Sequence, residues 1–477
     1  MKVLFAASEA LPFKSSGGLA EVAGSLPAAL RRRLIGARVV MPLYDCIDPA
    51  LRETMQFVTH IVVPVAWRRQ YCGVFEARAG GVIYYLLDNQ YYFKRGKQIY
   101  GFYDDGERFA FFARAILEIL PHLDGWKPDI IHCNDWQTAL TPVFQTAFYG
   151  KSEYYQSIRT VFTIHNIEYQ GKYGMDILED VFGLDSRYRS LVEHDGCVNL
   201  MKGGIECANA VNTVSPTYAE QILDPWYSHG LDSILQPRRF KLHGILNGID
   251  TESYDPANDP AIAAPFDAEN PAGKTECKAA LQKLYGLEEV PRKPLFCMVT
   301  RLAEHKGIDL LRASLRALLD GSEAQLAVLG TGEWQYEEFF TKLAAEYPGR
   351  VGAMIDFVPA VSRQMYAGGD VLLMPSKSEP CGLSQMIALR YGCVPIVRET
   401  GGLKDSVFDS GDGAGNGFTF AEYSAEQLLH TMFRAVEGYR NGEGWACLVR
   451  RAMECDNSWG KSANTYIRLY KELLAHD

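Results

Sequence analysis

The stretch LFCMVTRLAEHKGIDLLRASLRALL, residues 295–319, decides the fold. It begins with an apolar run, residues 295–300, of the kind that is buried on both faces of a parallel sheet. A short polar loop follows, and apolar residues then recur at helical spacing from Ile308 to Leu318. A buried strand, a loop and an amphipathic helix in this order predict an α/β fold with a parallel sheet.

The same alternation extends through the rest of the chain. Apolar runs at 325–329, 351–357, 371–374 and 394–397 predict strands of the same sheet, and runs at 3–7, 38–41, 82–87, 129–132 and 159–164 predict a second sheet. A proline-rich segment, residues 256–275, separates the two series. Since 477 residues exceed what one core holds, we predict two doubly wound Rossmann-like domains that face each other across a deep cleft.

Composition excludes several classes of function. The net charge of -10 argues against sequence-independent binding of nucleic acid, and it requires a local basic cluster for any anionic substrate. The 11 cysteines include no Cys-x-x-Cys pair and predict free thiols in a reducing compartment. Glu9 closes the N-terminal apolar run too early for a signal peptide, and no run is long enough to cross a membrane. We therefore expect a cytoplasmic protein without membrane partners.

The loop of the opening stretch carries two cations, Arg301 and Lys306. Lys306 precedes a predicted helix, where the helix dipole disfavours a cation by roughly 0.3–1 kcal/mol unless an anion binds nearby. Arg301 offers a planar fork and Lys306 a point charge, and together they suit a diphosphate. Two solvated loop charges explain these residues equally well.

Four further polar residues lie at strand ends or turns. Glu379 suits stabilisation of an oxocarbenium-like centre or a sugar contact, and a helix N-terminal acid is the plainer interpretation. His165 suits a sugar contact, proton transfer or a structural role, and Asp135 suits a hydroxyl contact or a helix cap. Asn247 suits a sugar-binding amide or an ordinary turn.

Two glycine pairs, Gly17-Gly18 and Gly401-Gly402, each follow an apolar run and open a predicted helix. Such glycines let backbone N–H groups approach a ligand, and tight strand–helix turns are the alternative. Neither pair belongs to a G-x-G-x-x-G fingerprint, and the sequence contains no phosphate-binding P-loop motif. These absences argue against a nicotinamide-dependent enzyme and against a nucleotide hydrolase.

Residues 91–103 combine six aromatic or phenolic rings with basic side chains. Aromatic faces beside polar groups suit stacking on a glucan. A partly packed surface loop is an equally good interpretation of this segment.

Taken in order, these motifs resemble bacterial glycogen synthases and plant starch synthases. The matching stretches are Ser8-Glu9 with Pro12-Phe13, Gly17-Gly18-Leu19, Asp135-Trp136, residues 163–171, residues 213–218, residues 246–250, Arg301 with Lys306-Gly307, residues 378–383 and Thr400-Gly401-Gly402-Leu403. Each stretch is weak by itself. Their shared order along nearly the whole chain makes the set specific.

The resemblance implies a GT-B glycosyltransferase that needs no metal or other cofactor. It would transfer glucose from ADP-glucose, with retention, to the non-reducing end of glycogen or another α-1,4-glucan. The implied catalytic residues are Glu379 at the reacting centre, His165 on the glucose, and Arg301 and Lys306 on the diphosphate leaving group. The implied substrate contacts are Lys14, Ser15, Gly17, Gly18, Asp135, Asn247, Phe357 (stacked on adenine), Cys381, Gly382, Leu383, Thr400, Gly401 and Gly402.

The resemblance also implies a domain plan. Residues 1–245 would form the acceptor-side domain, residues 246–460 the nucleotide-sugar domain, and residues 461–477 a helix that returns to the first domain. Closure of the two domains would complete the site and exclude water.

The first domain departs from the family pattern in three stretches. The lysine expected before x-Gly-Gly-Leu is replaced by Ser15, and a lysine stands one place earlier, at Lys14. The expected aspartate is Glu21, and the expected His-Asp-Trp-His stretch reads Asn134-Asp135-Trp136-Gln137. The donor motifs of the second domain are intact, which predicts preserved donor binding with altered affinity, rate or acceptor use.

Two other functions remain as alternatives. A catalytically weak or inactive glucan- or nucleotide-sugar-binding paralogue that assists an active synthase would explain the change at Ser15. A glucan phosphorylase or a sucrose synthase shares the expected fold, although nothing in the sequence favours either.

Overall fold

The computed structural model of the chain describes residues 1–475, in two compact units. Met1–Asn247 and the chain from Trp459 onward form the first unit, and Gly248–Ser458 form the second. Among the described residues, no helix combines the length and the apolar character that crossing a membrane requires.

The first unit is built on a nine-stranded sheet. The strands of this unit are β1 (Lys2–Ala6), β2 (Gly36–Pro42), β3 (Gln56–Val65), β4 (Arg68–Ala79), β5 (Val82–Asp88), β6 (Ile130–Asn134), β7 (Arg159–Ile164), β8 (Lys172–Tyr173), β9 (Glu193–His194), β10 (Cys197–Asn199), β11 (Ala210–Thr213) and β12 (Leu242–Gly244). The sheet order is β12-β11-β7-β6-β1-β2-β5-β4-β3, and β8, β10 and β9 form a small separate sheet. Within the large sheet the β3–β4 and β4–β5 pairs are antiparallel, and the other pairs are parallel.

Helices cover the large sheet, which explains why every residue of β6 and every residue of β1 except Lys2 is buried. The helices up to this point of the chain are α1 (Gly18–Arg31), α2 (Pro49–Glu53), α3 (Gln90–Phe93), α4 (Asp105–Glu118), α5 (Leu140–Phe144), α6 (Glu153–Gln156), α7 (Ile177–Asp180), α8 (Arg189–Val192), α9 (Leu200–Cys207), α10 (Pro216–Gln221) and α11 (Asp232–Leu235). The strand order reverses between β1 and β6, and residues that follow these strands therefore meet at one crevice.

The second unit is a six-stranded, fully parallel sheet between helices. Its elements are α12 (Gly273–Leu284), β13 (Leu295–Val299), α13 (Ile308–Gly321), β14 (Gln325–Leu329), α14 (Trp334–Glu346), β15 (Val351–Met354), α15 (Pro359–Gly368), β16 (Val371–Met374), α16 (Ser384–Arg390), β17 (Val394–Arg398), α17 (Gly401–Ser406), β18 (Phe418–Phe420), α18 (Ala425–Arg440) and α19 (Gly442–Glu454). The order β15-β14-β13-β16-β17-β18 is that of a Rossmann sheet, and its switch point lies between β13 and β16.

The last helix, α20 (Trp459–Ala475), belongs to the first unit and is fastened to its sheet by buried hydrogen bonds. His132 of β6 bonds the Tyr470 hydroxyl through Nδ1 at 2.7 Å and the Thr163 hydroxyl through Nε2 at 2.6 Å. Asn212 of β11 donates to the Tyr466 hydroxyl at 3.0 Å. Burial lowers the pKa of His132 to about 3, so the ring is neutral and can both donate and accept.

Tyr470→Phe is expected to lower the stability of the first unit. It removes a hydroxyl that is fully buried and leaves one nitrogen of His132 without its partner, which costs about 1–3 kcal/mol. A lower urea midpoint would be the measured result. Tyr103→Phe, at a tyrosine that is 92% exposed, is the matched control and should leave the midpoint unchanged. Equal midpoints for the two variants would contradict the anchoring role of Tyr470.

Candidate active site

The switch point of the second unit places Lys306 beside Glu379. Lys306 Nζ donates to Glu379 Oε2 at 2.7 Å, and the Ser376 hydroxyl bonds the same oxygen at 3.1 Å. The two charged side chains are only 18% and 9% exposed. The structure thus brings together two of the predicted catalytic residues as a largely buried ion pair, and it adds Ser376, which sequence reasoning missed.

Arg301 is placed differently from Lys306. It lies two residues beyond β13, its side chain is exposed, and its guanidinium makes no hydrogen bond or ion pair within residues 1–475. Its five N–H donors are therefore available to an anion. Across the same residues, no three His, Cys, Asp or Glu side chains are grouped so as to hold a metal ion.

Glu379 is positioned by three segments, residues 304–307, 375–382 and 398–402, which we call the donor loops. The Lys377 N–H donates to the His305 carbonyl at 2.8 Å and so joins the first two. Arg398, at the end of β17, is buried and donates to the carbonyls of Ser376 at 3.1 Å and Lys377 at 2.5 Å. Arg398 was not predicted as a site residue, because its role is visible only when the loops are brought together.

The glycine pair of α17 fits against the Glu379 segment. Gly401 has a φ of +45°, and a Cβ there would lie 1.9 Å from the Glu379 carbonyl oxygen. A Cβ on Gly402 would lie 2.2 Å from the Cys381 carbonyl, and the Gly402 N–H donates to the Glu379 carbonyl at 3.2 Å. The Gly402 N–H is therefore bonded to the backbone of the neighbouring loop, and the substrate contacts expected of Gly401 and Gly402 stay predictions.

The remaining residues predicted to contact the donor differ in how far they are exposed. Phe357 is not at a strand end as expected, since β15 stops at Met354, and its ring is 79% exposed. Cys381 and Thr400 are buried, and Gly382 and Leu383 are half-buried. An exposed ring suits stacking on a planar base, whereas the buried residues shape the donor loops from inside.

In the first unit, the segment after β1 is held by a buried carboxylate. Glu9 is 3% exposed, and its Oε2 accepts the Ser16 N–H at 2.5 Å. Burial raises the pKa of Glu9, although hydrogen bonds from Ser16 oppose the shift. The Ser8 hydroxyl bonds the Tyr100 hydroxyl at 2.7 Å. Ser8 and Glu9 were recognised only as part of a motif, and the structure gives them the role of fixing this loop.

The displaced lysine, Lys14, and its neighbour Ser15 have different surroundings. Lys14 is half-buried, and its Nζ reaches the Lys97 carbonyl at 3.3 Å, whereas Ser15 is exposed. Gly17 and Gly18 are also exposed, and a Cβ on either would meet nothing within 4 Å. Internal packing therefore does not explain this glycine pair, unlike the pair at Gly401.

Asp135 follows β6 with a φ of +56°, a conformation that costs most residues free energy. Its Oδ1 accepts the His165 N–H at 2.8 Å, and its side chain makes no capping bond to the helical turn that follows. The helix-cap interpretation is therefore wrong. Burial raises the pKa of Asp135 to about 7, although the N–H groups of His165 and Asn166 oppose the shift.

His165 follows β7, and its Nε2 lies 2.9 Å from the Asn134 side-chain oxygen. The Asn134 amide nitrogen already donates to the Ala6 and His132 carbonyls, so its oxygen accepts and His165 Nε2 carries the proton. Burial lowers the pKa of His165 to about 3. His165 is therefore neutral, and its Nδ1 can accept a hydrogen bond but cannot supply a proton at neutral pH.

Asn247 ends the main segment of the first unit. It is 5% exposed, and within residues 1–475 its side-chain oxygen is buried without a hydrogen-bond partner. An unpaired buried carbonyl is costly in a folded protein and is explained most simply by a ligand hydroxyl or a water.

Comparison with known proteins gives a consistent result. A family model described as starch synthase catalytic domain matches residues 2–237, and one described as glycosyl transferases group 1 matches residues 286–442. The chain is 50% identical to a glycogen synthase from Geobacillus thermodenitrificans, covering 99% of this chain and 98% of that protein. It is 48% identical to one from Desulforamulus reducens, covering 99% of both.

Solved structures agree with these matches. The catalytic domain of starch synthase IV from Arabidopsis thaliana, bound to ADP and acarbose, superposes with a TM-score of 0.92 at 36% identity, covering 100% of this chain and 99% of that one. A sucrose-phosphate synthase from Thermosynechococcus elongatus superposes with a TM-score of 0.60 at 18% identity, which shows a common fold alone.

Asp135→Asn is expected to gain stability relative to the parent as the pH rises. Because burial raises the folded-state pKa to about 7 from 3.8, the folded protein retains a proton that the unfolded chain releases. Raising the pH from about 5 to about 8 should therefore cost the parent roughly 2 kcal/mol that the variant does not lose. Asparagine keeps the shape of aspartate, so the backbone conformation of residue 135 is common to both chains, and urea midpoints at both pH values provide the measurement.

Asp124→Asn is the matched control, since Asp124 has a φ of +44° and an exposed side chain. Its offset from the parent should be the same at both pH values. A constant offset for Asp135→Asn as well would show that Asp135 is ionised throughout this pH range, which would contradict the raised pKa.

Proposed function

The chain belongs to the bacterial glycogen synthase family of GT-B glycosyltransferases, and we propose that its donor is ADP-glucose and its acceptor the non-reducing end of glycogen or another α-1,4-glucan. It is a glucosyltransferase of glycogen synthesis that takes a nucleotide-sugar donor and a glucan acceptor. The choice of ADP-glucose is supported by the ADP bound in the starch synthase neighbour. The free thiols of all 11 cysteines support a reducing cytoplasmic location.

The observation that carries the donor proposal is the Lys306–Glu379 pair at the switch point. Arg301 is close to Lys306 in sequence, and its guanidinium makes no hydrogen bond or ion pair within residues 1–475. A diphosphate leaving group develops negative charge as its bond to glucose breaks. Arg301 would bind it through its fork, and Lys306 would exchange the Glu379 carboxylate for a phosphate oxygen. Both charges are placed before the reaction, so little reorganisation is needed when it occurs.

Glu379 gains a second role from that exchange. Once Lys306 turns to the diphosphate, the buried carboxylate keeps Ser376 and needs a new partner. A donor glucose hydroxyl supplies one, which fixes the sugar relative to the leaving group. The negative charge of Glu379 would also stabilise positive charge at the glucose carbon in an oxocarbenium-like transition state. The proposed transfer retains the anomeric configuration.

The first unit would supply uncharged or weakly charged groups for sugar hydroxyls. His165 offers a lone pair on Nδ1, Asn247 offers an unpaired carbonyl oxygen, and Asp135 offers carboxyl oxygens. Such groups bind hydroxyls without adding a charge that would compete for the diphosphate. We propose that they select the sugar, whereas Arg301 and Lys306 hold the nucleotide portion.

The direct test is transfer of labelled glucose to glycogen from ADP-glucose and, separately, from UDP-glucose. Incorporation from ADP-glucose that disappears in Glu379→Ala supports the proposal. Preference for UDP-glucose would overturn the donor assignment. Binding of ADP-glucose without any incorporation would favour the inactive paralogue.

Glu379→Gln is expected to reduce transfer by about a thousandfold while tightening ADP binding several-fold. The substitution removes the charge at the reacting centre and also removes the carboxylate that competes for Lys306. Transfer is measured with labelled donor and ADP affinity by calorimetry. Glu443→Gln is the control, because this exposed carboxylate lies in α19, outside the donor loops, and should change neither quantity. Weaker ADP binding in Glu379→Gln would contradict the proposed competition.

Ser15→Lys is expected to raise the affinity for ADP-glucose about threefold or more, through one added charge-assisted contact. Ser15 is exposed, whereas Lys14 is directed to the Lys97 carbonyl, so Lys14→Ala should have little effect on donor KM. Steady-state kinetics of both variants separate the two positions. Loss of affinity in Lys14→Ala, with none gained in Ser15→Lys, would show that Lys14 already serves the donor.

A further inference from the structure

The loop that follows β14, residues 330–333, lies beside the loop that carries Arg301, and we call it the β14 loop. β13 and β14 are parallel neighbours, with Val299 opposite Leu329 at their ends. The chain therefore leaves the sheet at the same edge after both strands. The place of Arg301 can thus depend on the β14 loop, which has no part in the transfer proposed above.

Backbone hydrogen bonds continue from the sheet into the two loops on both sides of Arg301. Before it, the Thr300 N–H donates to the last carbonyl of β14 at 3.2 Å. After it, the Leu302 N–H donates to the Thr331 carbonyl at 3.0 Å, and the Glu333 N–H donates to the Leu302 carbonyl at 2.7 Å. The two residues that flank Arg301 are therefore held by β14 and by the β14 loop.

This pairing also sets the direction of the Arg301 side chain. Leu302 forms a parallel bridge with Gly332, and its side chain is fully buried. Neighbouring side chains of an extended segment point to opposite sides, so burial of Leu302 turns Arg301 away from the core, where it is exposed. A shift of the β14 loop would therefore move the guanidinium.

The β14 loop approaches the Arg301 segment too closely for side chains at two positions. A Cβ on Gly330 would lie 2.0 Å from the Thr300 carbonyl oxygen, and a Cβ on Gly332 would lie 2.2 Å from the Leu302 carbonyl oxygen. Two glycines permit this approach, but a glycine loses more conformational freedom on folding than any other residue. A loop built in this way requires an anchor of its own.

Glu337, in the first turn of α14, provides that anchor. Its Oε1 accepts the Thr331 hydroxyl at 2.6 Å and the Gly332 N–H at 2.8 Å. These hydrogen bonds, the one from Thr331 most of all, lower the pKa of Glu337, so the carboxylate is ionised at neutral pH. Since Tyr336 and Phe340 bury α14 against the unit, Glu337 fastens the β14 loop to a fixed element.

We propose that Glu337 is a positioning residue for the diphosphate of the donor: it fixes the β14 loop, and the β14 loop places Arg301. This inference rests on the proposed function, in which Arg301 binds the diphosphate. A guanidinium recognises phosphate through a planar fork, so its contacts weaken when the fork is displaced. An acid that only stabilised the start of α14 would leave the affinity for a diphosphate unchanged.

Calorimetry of ADP binding, without any acceptor, is the first test. Glu337→Ala is expected to weaken ADP binding about fivefold to tenfold, because it releases the loop that places Arg301. Glu337→Gln should restore most of the affinity, since its side-chain oxygen can accept the same two hydrogen bonds. Glu338→Ala is the matched control, because Glu338 is the next residue of α14 and pairs with Lys342 at 2.8 Å.

Thr331→Val provides a second variant that keeps the size of the side chain. It removes the hydroxyl that Glu337 accepts and leaves the Gly332 N–H in place, so it should weaken ADP binding by a smaller factor than Glu337→Ala. This variant keeps the test decisive if Glu337→Ala does not fold.

A double-mutant cycle separates positioning from a general loss of stability. Arg301→Ala should weaken ADP binding about thirtyfold, the loss of a charge-assisted contact. Adding Glu337→Ala should then weaken it little further, because no guanidinium is left to place. In steady-state kinetics, Glu337→Ala should raise the KM for the donor and leave the KM for glycogen unchanged.

Three results would overturn the positioning role alone, provided that Arg301→Ala weakens ADP binding. They are an unchanged ADP affinity in Glu337→Ala and Thr331→Val, losses that add fully in the double variant, and an equal loss in Glu338→Ala. An unchanged ADP affinity in Arg301→Ala would instead overturn the proposed donor role of Arg301, and the positioning role of Glu337 with it.

Discussion

The second unit depends on a buried ion pair whose two members have different tasks. Taking Lys306 and Glu379 out of water is unfavourable, and each charge is tolerated because the other lies 2.7 Å away. In the proposed function, a phosphate group would offer Lys306 a stronger partner than one carboxylate, so donor binding would divide the pair without leaving the cation bare. Glu379 would then take a sugar hydroxyl in exchange. One interaction would therefore couple recognition of the diphosphate to recognition of the sugar.

The donor loops explain how the fold keeps that pair in place. In a Rossmann sheet the residues after β13, β16 and β17 end at one edge, but a shared edge fixes positions only to several ångströms. Two features fix the position of Glu379 more closely. The backbone contact at Gly401 leaves no room for a side chain, and Arg398 donates to two carbonyls of the Glu379 segment. Catalytic groups need this second layer because small displacements weaken transition-state contacts.

The sequence predicts the parallel sheets well because their strands are continuous apolar runs, as in β13 and β14. It does not predict β3 and β4, whose residues alternate between buried and exposed and whose pairing is broken by an irregularity near Phe57. The pairing of Lys306 with Glu379 was also beyond prediction. They are 73 positions apart, and only the strand order of the sheet makes them neighbours.

The two glycine pairs show the limit of motif reasoning most clearly. Gly17-Gly18 and Gly401-Gly402 look alike in sequence, and each opens a helix after a strand. At Gly401 the reason is internal, because any Cβ would collide with the Glu379 carbonyl. At Gly17 there is open space, so packing imposes no such requirement. Since a chain gains nothing in stability from an unneeded glycine, the first pair is explained by what approaches the loop from outside, and the second by what the loop must hold.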